Sequence, residues 1–297
     1  MQPTPADRNR YFNPGRELNG FYRSTDKKMK KIILVTGAST GIGMATVRAL
    51  AKEGHRVYGV SRTITNKHGY PFTAIRMDVT DSRSVKEVIN SIIAKEGRID
   101  VLVNNAGNGV AGPLYDMPVE AARSQFEVNF FGVVSATSAV LPGMIERNAG
   151  LIINISSIAG LIGLPYQGLY SASKFAIEGY SQSLRMELFS TGIDVAVINP
   201  GDFKTSFTGN RQKLPFSFPN EKLANDFNAA IKSMEADEDK GGDPADVADK
   251  ICHIVEAGKP KQNYLVGAIG QTIAPTLKKI LPGRLFVKLM NDHYGLH

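Results

Sequence analysis

The chain has 297 residues, of which 42% are hydrophobic and 21% charged, and these proportions are ordinary for a globular protein. Its formal net charge of +7 comes from basic residues scattered among acids, and no helix collects them on one face, so we expect no nucleic-acid partner. The single cysteine, Cys252, excludes an internal disulfide, and the five histidines form no ligand pair such as H-x-x-x-H, so we also expect no metal.

Short apolar runs alternate with segments of helical period from residue 29 to residue 274. The runs are continuous stretches of Val, Ile and Leu, which is typical of parallel strands covered on both faces. We therefore predict an α/β fold with one domain: a doubly wound, Rossmann-type sheet of about seven parallel strands, with helices on both faces. In chain order the predicted strands are Ile32–Val35, Arg56–Val60, Phe72–Arg76, Val101–Val103, Leu151–Ile155, Ile193–Ile198 and Tyr264–Val266. The predicted helices run from the turn after the first strand to about Glu53, and over Ser82–Lys95, Val119–Arg147 and Tyr170–Phe189.

Three segments depart from this alternation. Residues 1–28 lack a signal-peptide-like apolar stretch and are predicted to be a poorly ordered extension. Residues 202–242 are irregular and rich in Phe and Pro, which at the carboxyl edge of the sheet favours a substrate lid over a plain surface excursion. Residues 275–297 are predicted to form a basic amphipathic tail. Such a tail can lie on an anionic membrane, but we favour a role in covering the pocket or in a subunit contact. No run reaches about 18 apolar residues, so we predict no transmembrane helix.

A glycine-rich turn follows the first strand and opens the first helix, with the sequence Thr36-Gly37-Ala38-Ser39-Thr40-Gly41-Ile42-Gly43. Glycines here let the backbone approach a pyrophosphate closely, and the helix N-terminus offers it free N–H groups. The spacing G-x-x-x-G-x-G resembles that of the short-chain dehydrogenase/reductase family, in its single-domain subgroup. The resemblance covers roughly residues 30–270 and implies that a nicotinamide dinucleotide binds at this turn.

The end of the second strand, Ser61-Arg62, predicts the choice of cofactor. No carboxylate is present there to accept from the ribose of NAD, and a guanidinium can bind a 2′-phosphate, so NADP(H) is expected. Many NADP-using relatives carry a basic residue where this chain has Thr40. By resemblance, Asp78-Val79 contacts the adenine, Asn105 of N-N-A-G lies near the adenosine ribose, and Pro200–Thr205 holds the carboxamide. The implied cofactor-binding residues are Gly37, Ser39, Thr40, Gly41, Ile42, Gly43, Ser61, Arg62, Asp78, Val79, Asn105, Ala106, Gly107, Tyr170, Lys174, Pro200, Gly201, Phe203 and Thr205.

Tyr170 and Lys174 stand four residues apart, which places them on one face of a helix. A neighbouring ammonium stabilises a phenolate, so we expect Lys174 to lower the pKa of Tyr170 toward neutral pH. The resemblance implies that Tyr170 donates the proton and that Ser157, thirteen residues earlier, binds the substrate oxygen. It also implies that Asn129 helps to position Lys174 through water.

The predicted activity is an NADP(H)-dependent interconversion of a ketone or aldehyde with an alcohol. The candidate pocket residues are apolar and favour a lipophilic substrate (a steroid, a retinoid or a 3-ketosphingoid lipid): Val110, Leu161, Leu164, Pro165, Tyr166, Phe203 and Phe207. The alternative is an NADP-sensing regulatory protein without turnover, which we disfavour because the chain keeps both Tyr170 and Lys174. The resemblance further implies a cytoplasmic homodimer or homotetramer, with peripheral membrane contact through residues 275–297 as an alternative role of the tail.

Overall fold

The computed structural model describes residues 30–65 and 69–296, so the predicted extension, residues 1–28, lies outside the described part of the chain. The main sheet is formed by the parallel strands β1 (Ile32–Thr36), β2 (Arg56–Ser61), β3 (Thr73–Arg76), β4 (Val101–Asn104), β6 (Gly150–Ile155), β7 (Ile193–Pro200) and β9 (Asn263–Val266). Their order in the sheet is β3-β2-β1-β4-β6-β7-β9. From β1 the chain first adds strands on one side and then, from β4 onward, on the other side, which confirms the predicted doubly wound sheet.

Helices cover both faces of this sheet. In chain order the α-helices of the described residues are α1 (Gly41–Lys52), α2 (Ser82–Glu96), α3 (Val119–Phe126), α4 (Gly132–Glu146), α5 (Gly168–Glu187), α6 (Phe207–Asn210), α7 (Glu221–Asp239), α8 (Pro244–Glu256), α9 (Ile269–Ile280) and α10 (Gly283–His293). Alternate residues of β1 face opposite layers, so Ile33 packs in the layer of α1 and α8, whereas Leu34 packs in the layer of α2, α4 and α5. Both side chains are fully buried, as expected for a central parallel strand.

The segment 202–242 is more regular than its sequence indicated. It contains α6, the two-residue strand β8 (Gln212–Lys213) and the 19-residue helix α7. Strand β8 pairs in parallel with β5 (Val110–Ala111), which ties the segment to the loop after β4. Helix α7 begins at Glu221, and the Oδ1 of its N-cap, Asn220, accepts from the backbone N–H of Leu223 at 3.0 Å. The prediction of an irregular segment was therefore wrong over α7.

The C-terminal helices α9 and α10 pack beside this segment. Phe286 of α10 is buried with Ile158 and Ile162, which follow β6. Tyr294, just after α10, is buried against Ile231 and other side chains of α7. The predicted amphipathic tail, residues 275–297, forms the second part of α9 and all of α10, and α9 itself begins earlier in the chain, at Ile269.

One described segment, Val119–Glu146, is a helix long and apolar enough to cross a membrane by length and composition alone. It comprises α3, a π-helical turn over Glu127–Phe131, and α4. Ala136, Val140 and Met144 of this segment are buried in the core against the sheet. Its packing is therefore that of a core helix of the α/β fold.

Candidate active site

The glycine-rich turn between β1 and α1 forms a close-fitting cradle. Gly37 and Gly41 have φ values of +67° and +53°, which favour glycine. A Cβ atom on Gly43 would lie 2.2 Å from the carbonyl oxygen of Gly37, so no side chain fits between the turn and the helix. The Thr40 side chain makes no capping hydrogen bond, and the first N–H groups of α1 remain available to a ligand. The turn therefore fits the diphosphate of a dinucleotide.

Asn105 fastens this turn to the end of β4. Its Nδ2 donates to the carbonyl oxygens of Thr36 at 3.0 Å and Gly37 at 3.2 Å. The Thr36 hydroxyl in return accepts from the backbone N–H groups of Asn105 and Ala106, both at 3.0 Å. The side chain of Asn105 is thus engaged by the protein, and its role in holding the cradle was absent from the sequence analysis.

The opposite end of the cleft is lined by Ser61, Arg62, Asp78 and Val79. The Ser61 hydroxyl accepts from the backbone N–H of Ile64 at 2.9 Å and so orders the loop after β2. Arg62 is exposed, and its guanidinium has no partner among the described residues. The Asp78 carboxylate accepts from the Thr80 hydroxyl at 2.8 Å. A free guanidinium therefore borders the cleft where β2 ends.

Three predicted catalytic side chains meet in the middle of the cleft. Ser157 follows β6, and its Oγ accepts from the backbone N–H of Ala159 at 3.1 Å. Tyr170 and Lys174 lie on one face of α5, with the lysine Nζ 5.8 Å from the centre of the phenol ring. Lys174 is buried, and its Nζ donates to the carbonyl oxygen of Ile155 at 2.8 Å. The structure thus brings together Ser157, Tyr170 and Lys174.

Burial dominates the ionisation of these groups. It raises the pKa of Tyr170 to about 12, with Glu238 and Asp202 adding to the rise and a hydrogen bond with Ser157 opposing it. Burial also lowers the pKa of Lys174 to about 8, against the opposing influence of Glu178. The expected lowering of the Tyr170 pKa toward neutral pH is therefore not found, because desolvation of the phenol outweighs the opposing influences of Ser157 and Arg211.

Asn129 lies outside the wall of the cleft and acts through its neighbours. It sits in the π-helical turn, is buried, and accepts at Oδ1 from the backbone N–H of Asn108 at 2.9 Å. Its Nδ2 donates to the Asn108 carbonyl oxygen and to the Ser173 hydroxyl, both at 3.0 Å. Asn129 therefore joins the loop after β4 to the turn of α5 that carries Lys174.

The segment Pro200–Thr205 follows β7 and closes the third side of the cleft. The Thr205 hydroxyl accepts from the backbone N–H of Phe207 at 3.1 Å. Phe203 is buried in the core, and its backbone pairs with Gly242. Phe207 covers the catalytic phenol, since its ring centre lies 5.4 Å from that of Tyr170.

The glycine-rich turn, the end of β2, the catalytic side chains and the segment after β7 border one cavity of about 610 Å³. Every predicted catalytic and cofactor-binding residue lines it except Asn129. Of the predicted pocket residues, Leu164, Phe203 and Phe207 line the cavity, whereas Val110, Leu161, Pro165 and Tyr166 do not. Val110 is instead buried in β5, and Tyr166 packs against Phe227. The cavity wall also contains polar side chains that the sequence analysis missed: Gln167, Asp202, Thr208, Gln212 and Glu238.

One carboxylate of the cavity wall, that of Glu238, belongs to a buried ion pair. The side chain of Arg211 is fully buried, and its Nη2 donates to Oε1 of Glu238 in α7. The other Glu238 oxygen accepts from the Thr208 hydroxyl at 2.6 Å. Among residues 30–65 and 69–296, no group of three His, Cys, Asp or Glu side chains could hold a metal ion.

Known proteins are similar to this chain in both sequence and fold. The model of the short chain dehydrogenase family matches residues 31–214. A 3-ketodihydrosphingosine reductase from Bacteroides thetaiotaomicron is 42% identical over 266 residues, covering 90% of this chain and 98% of the relative. The structure of a short-chain dehydrogenase from Streptomyces avermitilis has a TM-score of 0.72 at 31% identity and covers 90% of this chain and 97% of that one. A serine dehydrogenase complexed with NADP⁺ has a TM-score of 0.68 at 28% identity, covering 80% and 95% of the two chains.

Proposed function

This chain belongs to the short-chain dehydrogenase/reductase family and is an oxidoreductase of the nicotinamide-dependent kind, and we propose that it uses NADP(H) to reduce the carbonyl group of a lipophilic substrate. The observation that carries the proposal is the meeting of Tyr170, Ser157 and Lys174 in a cavity continuous with the glycine cradle. The non-enzymatic NADP sensor, our earlier alternative, has no support in the named reductases and dehydrogenases among the relatives.

The three side chains have complementary tasks in this reaction. When bound, the reduced dinucleotide supplies a hydride to the carbonyl carbon. Tyr170 transfers its phenolic proton to the carbonyl oxygen, so that ketone, hydride and proton together give the alcohol. Ser157 donates a hydrogen bond to the same oxygen as negative charge develops on it. The Lys174 ammonium binds the cofactor ribose and stabilises the phenolate that remains.

The ionisation of Tyr170 favours the reducing direction. Because burial raises its pKa to about 12, the phenol is protonated at neutral pH and can act as a donor. The reverse reaction requires the phenolate, which becomes accessible only when a nearby positive charge offsets the burial. Below a pH of about 8 the Lys174 ammonium carries a positive charge that opposes this effect, but burial still dominates the pKa of Tyr170.

NADP(H) is the proposed cofactor because β2 ends in Ser61-Arg62. A carboxylate at this position would repel a 2′-phosphate, whereas the exposed Arg62 guanidinium borders the cleft and can bind one. The lipophilic substrate is inferred from the aliphatic and aromatic side chains of Leu164 and Phe207 on the cavity wall. Steroids, retinoids and 3-ketosphingoid lipids are the proposed substrate classes.

Replacement of Tyr170 by phenylalanine tests the reaction. The variant keeps the ring packed against Phe207 but lacks the proton, so turnover with NADPH should fall by about 10² to 10⁴. NADPH binding, measured by fluorescence of the reduced nicotinamide, should change little. Retention of wild-type turnover in Tyr170→Phe would refute the proposed role of the phenol.

The chain is further proposed to be a single domain, with residues 202–242 as its lid, that assembles as a cytoplasmic homodimer or homotetramer. Large apolar side chains on the outer faces of α4 and α5 and of the turn before α4 support subunit contact, and they include Phe131, Ile145, Phe175 and Met186. For residues 275–297, the proposed primary role is to cover the pocket or to make a subunit contact. The exposed Ile273, Ile280 and Leu285 of α9 and α10, beside Lys278 and Lys279, support peripheral membrane contact as the alternative, which liposome flotation would test.

A further inference from the structure

A buried amide near the end of β7 joins two segments that carry catalytic side chains. Asn199 is fully buried, and its Nδ2 donates to the backbone carbonyl oxygen of Ser157 at 3.1 Å. The same Nδ2 donates to Oε1 of Glu178 in α5 at 2.5 Å. Because both partners are acceptors, the orientation of the amide is fixed. Asn199 thus connects the loop of Ser157 with the helix that carries Tyr170 and Lys174.

An asparagine is costly at this position. The Oδ1 of Asn199 is buried and accepts no hydrogen bond from the residues that the structure describes. An acceptor removed from water costs free energy unless a partner replaces the water. The preceding residues of β7, Val197 and Ile198, have fully buried apolar side chains, which meet no such cost. The packing of the sheet therefore gives no reason for an amide here, whereas its two donated hydrogen bonds do.

Glu178 stands four residues after Lys174 on α5, so the two side chains lie on one face of the helix. It is partly buried, and its second oxygen, Oε2, accepts from Nδ2 of Asn263 in β9 at 3.3 Å. Neither Glu178 nor Asn199 lines the cavity. Any influence of these two residues on the reaction therefore passes through Ser157 and Lys174 rather than through contact with a ligand.

We propose that Glu178 and Asn199 are positioning residues of the reaction, which hold the loop of Ser157 and the catalytic face of α5 in fixed relative places. This assignment rests on the proposed carbonyl reduction. In that reaction the substrate oxygen must lie within hydrogen-bond reach of both the Ser157 and the Tyr170 hydroxyls, so a small displacement of either segment lowers the rate. The hydrogen-bonded link between the two segments opposes such a displacement.

The charge of Glu178 has a second effect, on Lys174. Burial lowers the pKa of Lys174 to about 8, and the Glu178 carboxylate opposes this lowering. Two carboxylates of the cavity wall, Asp202 and Glu238, instead raise the pKa of Tyr170, the titratable neighbour of Lys174 on the same helix. The group that Lys174 contacts in β6 is an uncharged carbonyl. Glu178 therefore favours the ammonium that the proposed function assigns to the cofactor ribose.

Glu178→Gln tests the charge, because it keeps an oxygen that can accept from Asn199 but removes the negative charge. The affinity for NADPH, measured by fluorescence of the reduced nicotinamide across a pH series, should fall in the wild type as Lys174 loses its proton near pH 8. In the variant the fall should begin about half a pH unit lower or more, because the ammonium has lost a favourable charge. The control Glu187→Gln removes the same charge at the exposed end of α5 and should leave the fall at the wild-type pH.

Asn199→Ala tests the link between the segments. It removes both hydrogen bonds that Nδ2 donates, so kcat for a 3-ketosphingoid base with NADPH should fall by about tenfold or more. The affinity for NADPH at neutral pH should change little, because the proposed function assigns Ser157 to the substrate and not to the cofactor. The control Asn263→Ala removes the exposed hydrogen bond to the other oxygen of Glu178 and should keep the wild-type kcat.

The outcomes separate the two proposals. An unchanged pH dependence in Glu178→Gln, or an equal shift in Glu187→Gln, would overturn the role of Glu178 and leave carbonyl reduction intact. Wild-type kcat in Asn199→Ala would overturn the link, and so would a loss of NADPH affinity as large as the loss of kcat, because the asparagine would then support the fold as a whole. If the wild type reduces no ketone although NADPH binds, the proposed function itself fails. The affinity measurements on Glu178→Gln need no turnover and do not depend on how well Asn199→Ala folds.

Discussion

Replacing Lys174 by methionine is expected to stabilise the cofactor-free protein at neutral pH, although it removes a side chain that the proposed reaction needs. Burial lowers the pKa of Lys174 from 10.5 to about 8, so the folded state disfavours the ammonium. At 1.36 kcal/mol per pKa unit, keeping it charged costs about 3 kcal/mol of folding free energy. Methionine keeps an apolar stem of similar length but loses the hydrogen bond to Ile155, worth about 1 kcal/mol. The net gain is about 2 kcal/mol.

The pH dependence of this effect follows from the same values. The lysine is a base whose pKa is lower in the folded state, so the cost is fully present below pH 8. It is relieved as the pH rises from about 8 to 10.5, because the folded protein then releases its proton first. Near pH 10 the variant should therefore lose its advantage over the wild type.

Urea unfolding of the cofactor-free proteins, followed by far-UV circular dichroism at pH 7 and near pH 10, measures the difference. The control is Lys52→Met on the exposed last turn of α1, which should change the free energy of unfolding by less than about 0.5 kcal/mol at either pH. Saturating NADPH should reverse the order of wild type and variant, because it binds the wild type more tightly. A Lys174→Met protein that is less stable at pH 7, or whose difference is the same at both pH values, would refute the reasoning.

Three further changes test the cradle, the cofactor choice and the π-helical turn. Gly43→Ala should weaken NADPH binding at least about tenfold, because the new Cβ would lie 2.2 Å from a backbone oxygen. The control Gly179→Ala, on an open helix surface, should instead raise the free energy of unfolding by up to about 1 kcal/mol. Equal thermal shifts and equal NADPH affinities of the two variants would count against the cradle. Ser61→Asp should move the ratio of kcat/KM for NADPH over NADH toward NADH, and an unchanged ratio would exclude this position as the discriminator. Asn129→Ala removes three hydrogen bonds of a buried side chain, so it should lower the free energy of unfolding in urea by about 2 to 4 kcal/mol and should also lower kcat. Unchanged values of both would exclude the bridging role.

The sheet and the cleft could be predicted because their signals are local. Continuous apolar runs mark the seven strands, and the carboxyl ends of parallel strands meet at one edge, which brings Ser157 and Thr205 toward the turn at Gly37. Helix α7 was missed although Asn220 is a good N-cap and a helical period follows it, because the preceding Phe and Pro residues dominated the interpretation.

Other features of the site depend on contacts distant in the sequence. The pairing of Arg211 with Glu238 joins residues 27 positions apart, and no spacing rule announces it. The engagement of Asn105 by Thr36 requires β1 and β4 to be neighbours. The pKa of Tyr170 was misjudged because a helix pattern shows the lysine four residues away but not the depth of burial.

The π-helical turn at Glu127–Phe131 changes which residues before and after it share one face of the segment. An uninterrupted helix would place Gln125 and Ala136 within about 20° of each other on a helical wheel. The wide turn adds a residue without adding that residue's rotation of about 100°, so Gln125 reaches the loop at Asn108 and Val110 while Ala136 points into the core. A regular helical wheel drawn through the whole segment therefore assigns one side wrongly, whereas deleting a single residue within the turn would restore a regular helix and keep the relative orientation of the two halves.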